Sequence, residues 1–369
     1  MNKVFFGMLV VTCAVLSAFG VGYIIQSGVF EKYPKPKYLS VSEEELRPAY
    51  EQLSKKEKTV YTALYRGICD YEEKIALPYE ISGDTYSKIY CLLEKQEGEL
   101  FYVDSKYYTA KKIRKAKIIY RDENKKIKDM QRELEVAVND ALNDVCLAYD
   151  EYSTVMRIHD FIVRNCRYIE ENDSGYCSTS YGCLVQGEAN CEGYAKAFNV
   201  LASKMGLESI LVTGTTDEGE NHAWNQVKVD GSWYNVDVTW DDTDIEGDIR
   251  RVYFLCDDDF FGETHFSDEE YINAYKCGDS GKNYYIKNGL YADSQQAADE
   301  ILRREISGGK TQAEIRFSDD DLYDWFMDKY IEEQGIFGIL YSYSPSAAEY
   351  MTVSVQENEK ERCITVFWG

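Results

Sequence analysis

A tight β-hairpin constrains this sequence more than any other feature does. The dipeptide Asp230-Gly231 lies between two runs of strand-forming residues within the segment from Asn221 to Trp240. Asp-Gly in this setting is a strong signal for a two-residue turn between antiparallel strands. We therefore expect Val229 to face Ser232, and that one pair sets the register of both strands.

The predicted register brings a histidine and a carboxylate together. His222 is expected to face Thr239, and Asp237 to face Trp224, so that His222 and Asp237 are diagonal neighbours on one face of the sheet. Diagonal neighbours lie about 7–8 Å apart, within reach of long side chains. A carboxylate beside an imidazole fixes its tautomer and stabilises the imidazolium, which in turn stabilises a nearby thiolate.

A cysteine stands where a helix is predicted to begin. After Cys191, apolar residues recur at the spacing of one helix face and stop at Gly206: Ala195, Phe198, Leu201, Ala202 and Met205. The dipole and the free N–H groups of a helix start favour a thiolate and can hold an oxyanion. Alone, such a cysteine is more often a buried structural thiol. Together with the histidine and the aspartate of the hairpin, however, this cysteine predicts a catalytic triad of Cys191, His222 and Asp237.

Other residues of this block are weaker candidates. His159 lies in an amphipathic helical pattern, where a structural role is expected, and His265 has no hairpin carboxylate assigned to it. Trp224 and Trp240 are predicted to line the substrate cleft, although core packing explains two tryptophans on a hairpin equally well.

Three segments resemble the transglutaminase-like superfamily, whose core is a papain-like Cys, His, Asp triad in that chain order. Residues 181–195 are similar to the family's nucleophile segment, 221–225 to its histidine strand and 234–241 to its aspartate strand. The resemblance covers about residues 151–265, and residues 158–165 and 253–256 also look similar to the bacterial, cell-surface branch. The sequence departs from the family pattern at Asn190, where an apolar residue is more usual, and at Cys183, where alanine is.

The resemblance implies a nucleophile helix packed on an antiparallel sheet. It also implies a donor for the oxyanion or for substrate, for which Tyr181 and Gln186 are the candidates. We expect no cofactor and no metal, because the chain has only three histidines and contains neither a CxxC pair nor a D-x-D-x-D-G calcium loop. Cys177 and Cys183 are candidates for a disulfide, with structural thiols as the alternative.

The whole chain is predicted to be an α+β protein with flanking domains around this core. We expect five regions: a membrane anchor or signal segment at 1–27, a linker at 28–40, a small α+β domain at 41–150, the catalytic domain at 151–265 and a second α+β domain at 266–369. In the first flanking domain, helices are expected at 84–95 and 133–149, with strands at 99–103 and 113–120. In the second, a helix is expected at 319–333, with strands at 313–317, 351–355 and 363–368.

Charge and the amino terminus bear on location and partners. The net charge of −24 opposes binding to a phosphate backbone, so no nucleic-acid partner is expected. Val4–Ile25 is an uncharged apolar run, and a bilayer span needs about 20 residues. We expect a single-pass membrane protein with most of the chain outside the cytoplasm. Cleavage near the small residues Ser17, Ala18 and Gly20 is the alternative, and it would give a secreted protein.

These features predict a thiol enzyme outside the cytoplasm that acts on amides of proteins or cell-wall peptides. Cys191 would form an acyl-enzyme that an amine or water resolves, giving transamidation, deamidation or proteolysis. The alternative is a peptide-binding or scaffold protein of the cell envelope that keeps the fold with an idle triad.

Overall fold

The computed structural model of the chain describes residues 33–171, 173–243, 249–343 and 352–369. Across those ranges no helix combines the length and the apolar character that a bilayer crossing needs. The predicted membrane segment at 1–27 lies outside the described residues. The ten cysteines described are all free thiols, Cys177 and Cys183 included.

The amino-terminal part is a helical layer with one pair of strands. Its elements are α1 (Val41–Glu44), α2 (Pro48–Glu51), α3 (Lys55–Cys69), β1 (Lys74–Ser82), α4 (Gly83–Gln96), β2 (Lys112–Lys117) and α5 (Asn124–Val145). The helix predicted at 84–95 is therefore confirmed as α4, and the one at 133–149 corresponds to the second half of α5. The strand predicted at 113–120 is β2, which pairs antiparallel with β1.

Two local features of this part differ from expectation. The strand β1 was not predicted. It contains Pro78, and a proline usually excludes a regular strand. An irregularity in the β1–β2 pairing between Ala76 and Ile81 accommodates this proline. The strand predicted at 99–103 is wrong: Gly98–Leu100 form a turn of 3₁₀-helix instead. A Cβ on Gly98 would collide with Val200, so this turn must pack closely against the next helix layer.

The central part contains the predicted hairpin. Its elements are α6 (Glu151–Asn165), β3 (Arg167–Tyr168), β4 (Glu188–Ala189), α7 (Cys191–Lys204), β5 (Ser209–Thr216), β6 (Asn221–Val229), β7 (Ser232–Val236), α8 (Val238–Asp241), α9 (Asp258–Phe261) and β8 (His265–Ser267), with a π-helical turn at Gly182–Gln186. Four of the strands form an antiparallel sheet in the order β7-β6-β5-β8. α7 packs on this sheet, with Ala195 against Leu211 and Ala223.

The hairpin register is as predicted, but the pairing is shorter. Val229 faces Ser232, and the left-handed φ angles of +50° at Asp230 and +87° at Gly231 are those of a primed two-residue turn. The pairing ends where Asn225 faces Val236. β7 ends at Val236, and α8 begins two residues later at Val238.

The carboxy-terminal part is a second α+β unit. Its elements are α10 (Tyr284–Lys287), β9 (Tyr291–Ala292), α11 (Gln295–Ser307), β10 (Gln312–Phe317), α12 (Asp320–Phe326), α13 (Gly335–Tyr343), β11 (Val353–Asn358) and β12 (Cys363–Trp368). The sheet order is β11-β12-β10-β9. The helix predicted at 319–333 is present, although it changes to π-helical form from Met327. Buried apolar side chains of all three parts join in one continuous cluster.

A buried ionic cluster ties α7 to the amino-terminal layer. The Lys196 ammonium lies 2.6 Å from the Glu94 carboxylate of α4 and 2.7 Å from Glu192, and its side chain is 3% exposed. Lys95 lies 2.9 Å from the other oxygen of Glu192. Burial opposes the charge on Glu192, but the two lysines outweigh it and lower the pKa of Glu192 to about 2. The first turn of α7 is thus held from outside the central part.

Removing the Lys196 charge from this cluster should be costly, because it leaves the buried Glu94 carboxylate without its ammonium partner. We expect Lys196→Ala to lower the free energy of unfolding in urea by about 3–5 kcal/mol. The matched control is Lys204→Ala on the same helix, because Lys204 pairs with Glu99 at the surface. That change should cost at most about 1 kcal/mol. Equal losses for the two variants would show that the buried cluster does not anchor α7.

Candidate active site

The cysteine predicted as nucleophile is the first residue of α7. The side chain of Asn190 caps this helix and accepts a hydrogen bond from the Gly193 N–H at 3.2 Å. This capping role explains why a polar residue precedes Cys191. Gly193 is needed as well, because a Cβ there would collide with the Cys177 carbonyl oxygen. The N–H groups of Cys191 and Glu192 belong to the first turn, where no carbonyl of the helix can accept them.

The imidazole of His222 and the carboxylate of Asp237 are in direct contact. His222 Nε2 lies 2.7 Å from Asp237 Oδ2, and both side chains are buried. Because Nε2 faces the carboxylate, Nδ1 is the nitrogen left for Cys191, which is near enough to raise the pKa of His222. The three predicted triad residues therefore lie together.

The route by which Asp237 reaches His222 differs from the prediction. Asp237 is not paired with β6: its N–H donates to the Tyr253 carbonyl at 3.1 Å. It is the N-cap of α8, and its Oδ1 accepts from the N–H groups of Thr239 at 2.9 Å and Trp240 at 3.2 Å. The aspartate thus serves both as a helix cap and as the partner of the histidine.

The pair changes the proton affinity of both groups. Burial disfavours the imidazolium, but the charge and hydrogen bond of Asp237, followed by the contact with Cys191, raise the pKa of His222 to about 10. Burial also disfavours the carboxylate, and the charge of His222 outweighs it and holds the pKa of Asp237 well below its usual range. A His222 imidazolium is therefore stable at neutral pH.

A second histidine shares the same carboxylate. His265 Nε2 lies 3.1 Å from Asp237 Oδ2, and its ring contacts Trp240 and Phe261. No local pattern predicts this contact, because a long loop rather than a hairpin connects Asp237 to His265. Nitrogen and oxygen atoms of His222, Asp237 and His265 lie within 4.8 Å of one another, a spacing that a metal ion could also bridge. The hydrogen bonds among the three account for the spacing without one.

The predicted substrate-binding residues divide into two pairs. The Trp240 ring is half-buried with its centroid 5.5 Å from that of His222, whereas Trp224 is buried beside the same histidine. Trp240 is thus partly exposed beside His222, and Trp224 packs in the core. Tyr181 donates a hydrogen bond to Glu133, and Gln186 accepts one from Ser174 at 2.9 Å. None of the contacts described for Tyr181 or Gln186 involves a triad residue.

A tyrosine that the sequence reasoning missed lies beside the nucleophile. Tyr168 is in β3, opposite Ala189 of β4, which leads directly into α7. Its side chain is partly exposed. Burial, together with the nearby Cys191 and Glu170, raises the pKa of Tyr168. Tyr168 therefore lies at the edge of the site and remains neutral.

His159 has the structural role expected for it. It is fully buried in α6, with Nδ1 3.1 Å from Asp160 and Nε2 3.1 Å from Asp241 of α8. Burial opposes its charge, but the two carboxylates raise the pKa of His159. An imidazolium can donate to both at once, so His159 fixes the end of the helix that Asp237 caps.

The turn between β11 and β12 reaches the edge of the site, which nothing in the sequence indicated. The Lys360 ammonium lies 3.1 Å from Asp217 and 3.4 Å from Glu218, in the turn that precedes His222, and 5.4 Å from the centre of the Trp240 ring. Arg362 pairs with Glu263 at 2.6 Å, just before His265. Residues 359–362, here called the hairpin tip, thus contact the loop that precedes His222 and the loop that precedes His265.

Comparison with known proteins gives a family for this block. Residues 142–238 match the model of the Transglutaminase-like superfamily. Kyphoscoliosis peptidase of Mus musculus is 25% identical over 187 residues, which are 44% of this chain and 28% of that protein. The Homo sapiens protein of the same name is 29% identical over 126 residues, which are 29% of this chain and 19% of that protein. A solved TGase structure is similar over 34% of this chain and 40% of its own, with 14% identity and a TM-score of 0.28.

Neutralising the buried aspartate should lower the proton affinity of the histidine. In Asp237→Asn we expect the pKa of His222 to fall from about 10 toward the ordinary value of about 6.5, because the amide brings no charge and points N–H groups at Nε2. The pKa can be followed by NMR of ¹⁵N-histidine-labelled protein, since the chain has only three histidines. Asp217→Asn, at the surface, is the control and should leave the pKa of His222 unchanged. A His222 pKa that stays near 10 without the carboxylate would contradict this account.

Reversing the charge of Lys360 should loosen the hairpin tip without touching the triad. We expect Lys360→Glu to raise KM about 2- to 5-fold with kcat nearly unchanged, because each exposed ion pair contributes less than about 1 kcal/mol. Lys310→Glu is the control: it reverses a pair with Glu305 that lies within the carboxy-terminal part. A similar rise of KM in Lys360→Glu and Lys310→Glu would argue against a role for the hairpin tip in substrate binding.

Proposed function

Because residues 142–238 form a transglutaminase-like superfamily domain, we propose that the chain is a thiol enzyme that acts on protein or peptide amides through a Cys191 acyl-enzyme. The single observation that carries this proposal is the buried contact of 2.7 Å between His222 and Asp237, with Cys191 on the free side of the imidazole. A histidine with a purely structural role in the core would not require a neighbouring cysteine at the start of a helix.

The first half of the proposed reaction forms an acyl-thioester. The Cys191 thiolate, paired with the His222 imidazolium, attacks the carbonyl carbon of the amide. The oxyanion of the tetrahedral intermediate lies near the free N–H groups at the start of α7. His222 then gives its proton to the departing nitrogen, and Asp237 holds the ring in position. Because the imidazolium is the acid, acylation should weaken as the pH rises through about 10.

The second half resolves the acyl-enzyme. An amine or water attacks the thioester carbon, and His222 takes up the proton that the attacking group loses. The bond between the acyl carbon and Cys191 Sγ then breaks and releases the thiolate. Attack by an amine gives transamidation, and attack by water gives deamidation or proteolysis. The name peptidase, given to the relatives in mouse and human, supports hydrolysis, but the alignments cover under a third of those proteins.

We also propose that the enzyme works outside the cytoplasm, held at a cell surface by its apolar amino-terminal run. Support comes from the sequence of that run, Val4–Ile25, and from the resemblance to the bacterial cell-surface branch. In that location, proteins and cell-wall peptides are the amides within reach. Cell fractionation and protease treatment of intact cells test this: the chain should sediment with membranes and be cleaved from outside.

The proposed chemistry can be tested with glutamine-containing peptides and a general protein substrate such as casein. We expect ammonia release or peptide cleavage by the wild-type chain, and a loss of at least about 10³-fold in Cys191→Ala. The control is Cys146→Ala, an exposed thiol far from the site in sequence, which should keep full activity. A chelator should leave the rate unchanged, because the proposed steps use no metal.

Three results would count against this function. If Cys191→Ala retained activity, the nucleophile would be misassigned. If a chelator abolished activity while Cys191→Ala retained it, His222, Asp237 and His265 would be acting around a metal ion. If the wild type bound peptides but turned none over, the scaffold alternative would replace the enzyme.

A further inference from the structure

The carboxylate of Asp237 carries a complete set of hydrogen bonds. Oδ1 accepts from the N–H groups of Thr239 and Trp240, at 2.9 and 3.2 Å. Oδ2 accepts from His222 at 2.7 Å and from His265 at 3.1 Å. A carboxylate offers about four acceptor positions, so the anion is fully occupied. One oxygen accepts only from backbone N–H groups, and the other accepts from two histidine side chains.

The ring of His265 is fixed in one orientation. Its side chain is fully buried, and its ring stacks on Phe261 with centroids 3.9 Å apart. Its Nδ1 lies 2.8 Å from the Thr264 hydroxyl. An anionic carboxylate can only accept, whereas a hydroxyl can donate. The proton of a neutral His265 is therefore on Nε2, where it is donated to Asp237, and Nδ1 accepts from Thr264.

The two histidines carry different charges. Burial lowers the pKa of His265, and the neighbouring His222 charge lowers it further, against the opposing effect of Asp237. The ionisable groups around the pair come from several elements: Cys191 of α7, Asp237 at the start of α8, Tyr253 beside the His265 ring, Tyr168 of β3 and, across the Trp240 ring, Lys360 of the hairpin tip. Within this set His222 is the cation and His265 a neutral donor.

We propose that His265 is a positioning residue of the active site. By donating a hydrogen bond to Asp237 Oδ2, it partly compensates the negative charge of the carboxylate and so weakens the attraction between Asp237 and the His222 imidazolium. This inference rests on the function proposed above, since it assigns His265 a role through His222. This weaker attraction helps the imidazolium to release its proton. An imidazolium that is held too tightly is a poor acid for the departing nitrogen, and sharing the carboxylate weakens that hold.

The effect of losing His265 has a definite sign. The two backbone N–H groups keep Oδ1, and with it the whole carboxylate, in place. Without the His265 donor, Oδ2 accepts only from His222, and the carboxylate attracts the imidazolium more strongly. The pKa of His222 should therefore rise rather than fall. A purely structural role for His265 would lower the amount of folded protein without moving this value.

The wild-type chain provides the first test, and it requires neither a substrate nor a variant. NMR of the full-length, ¹⁵N-histidine-labelled protein shows three imidazoles, which can be assigned by nuclear Overhauser contacts with their different neighbours, such as Phe261 for His265. At neutral pH, His265 should be uncharged with its proton on Nε2, and His222 should be charged. A His265 that is cationic, or that carries its proton on Nδ1, would overturn the proposal even if every variant failed to fold.

A matched pair of variants provides the second test. His265→Gln places an N–H group where Nε2 was, whereas His265→Asn reaches only as far as Nδ1. We expect His265→Asn to raise the pKa of His222 by about half to one pH unit and to move the His222 Nε2 proton resonance at pH 7 further downfield. His265→Gln should shift either quantity by less than half as much. An unchanged or lowered His222 pKa in folded His265→Asn protein would overturn the proposal.

The readouts separate this inference from the function on which it rests. If the chain turns over no amide but the His222 resonances shift as expected, His265 still controls the pair and only the enzyme assignment fails. If turnover is observed and the resonances do not move, the enzyme assignment stands and the role of His265 is wrong.

Discussion

The buried carboxylate of Asp237 is the interaction on which the site depends. An anion that is 1% exposed is costly unless every acceptor position is filled, and here four donors fill them. Those donors come from β6, from β8 and from the first turn of α8. The need to satisfy one charge thus draws together three segments that are distant in sequence, and the contact with Cys191 follows from the position that this gives His222.

The parts around this carboxylate are held from both ends of the chain. The buried ions of Lys196, Glu192 and Glu94 fix the helix that begins with Cys191 against the amino-terminal layer. The hairpin tip holds the loops next to the two histidines from the carboxy-terminal side. The flanking regions, which carry no catalytic motif in their sequence, therefore contribute to the geometry of the site.

The sequence predicted what local rules determine. The turn at Asp230-Gly231 fixed the hairpin register, and the apolar spacing after Cys191 gave the nucleophile helix. It also predicted that His222 and Asp237 meet, although the meeting depends on a helix cap rather than on strand pairing. Contacts across long loops could not be read in this way: His265 and Lys360 reach the site through tertiary packing that leaves no periodic pattern. β1 has no regular strand pattern either, because it contains Pro78, which is accommodated at an irregularity in the pairing.

The most direct test of the central claim is the rate at which iodoacetamide alkylates Cys191 as a function of pH, assigned by mass spectrometry, in the wild type and in His222→Ala. If His222 pairs with the thiolate, Cys191 in the wild type should react readily at pH 6, where an ordinary thiol with a pKa of about 8.5 is almost entirely protonated, and this reactivity should disappear without His222. A rate that rises only near pH 8.5 and is the same in both proteins would contradict the account and leave the triad without a chemical role.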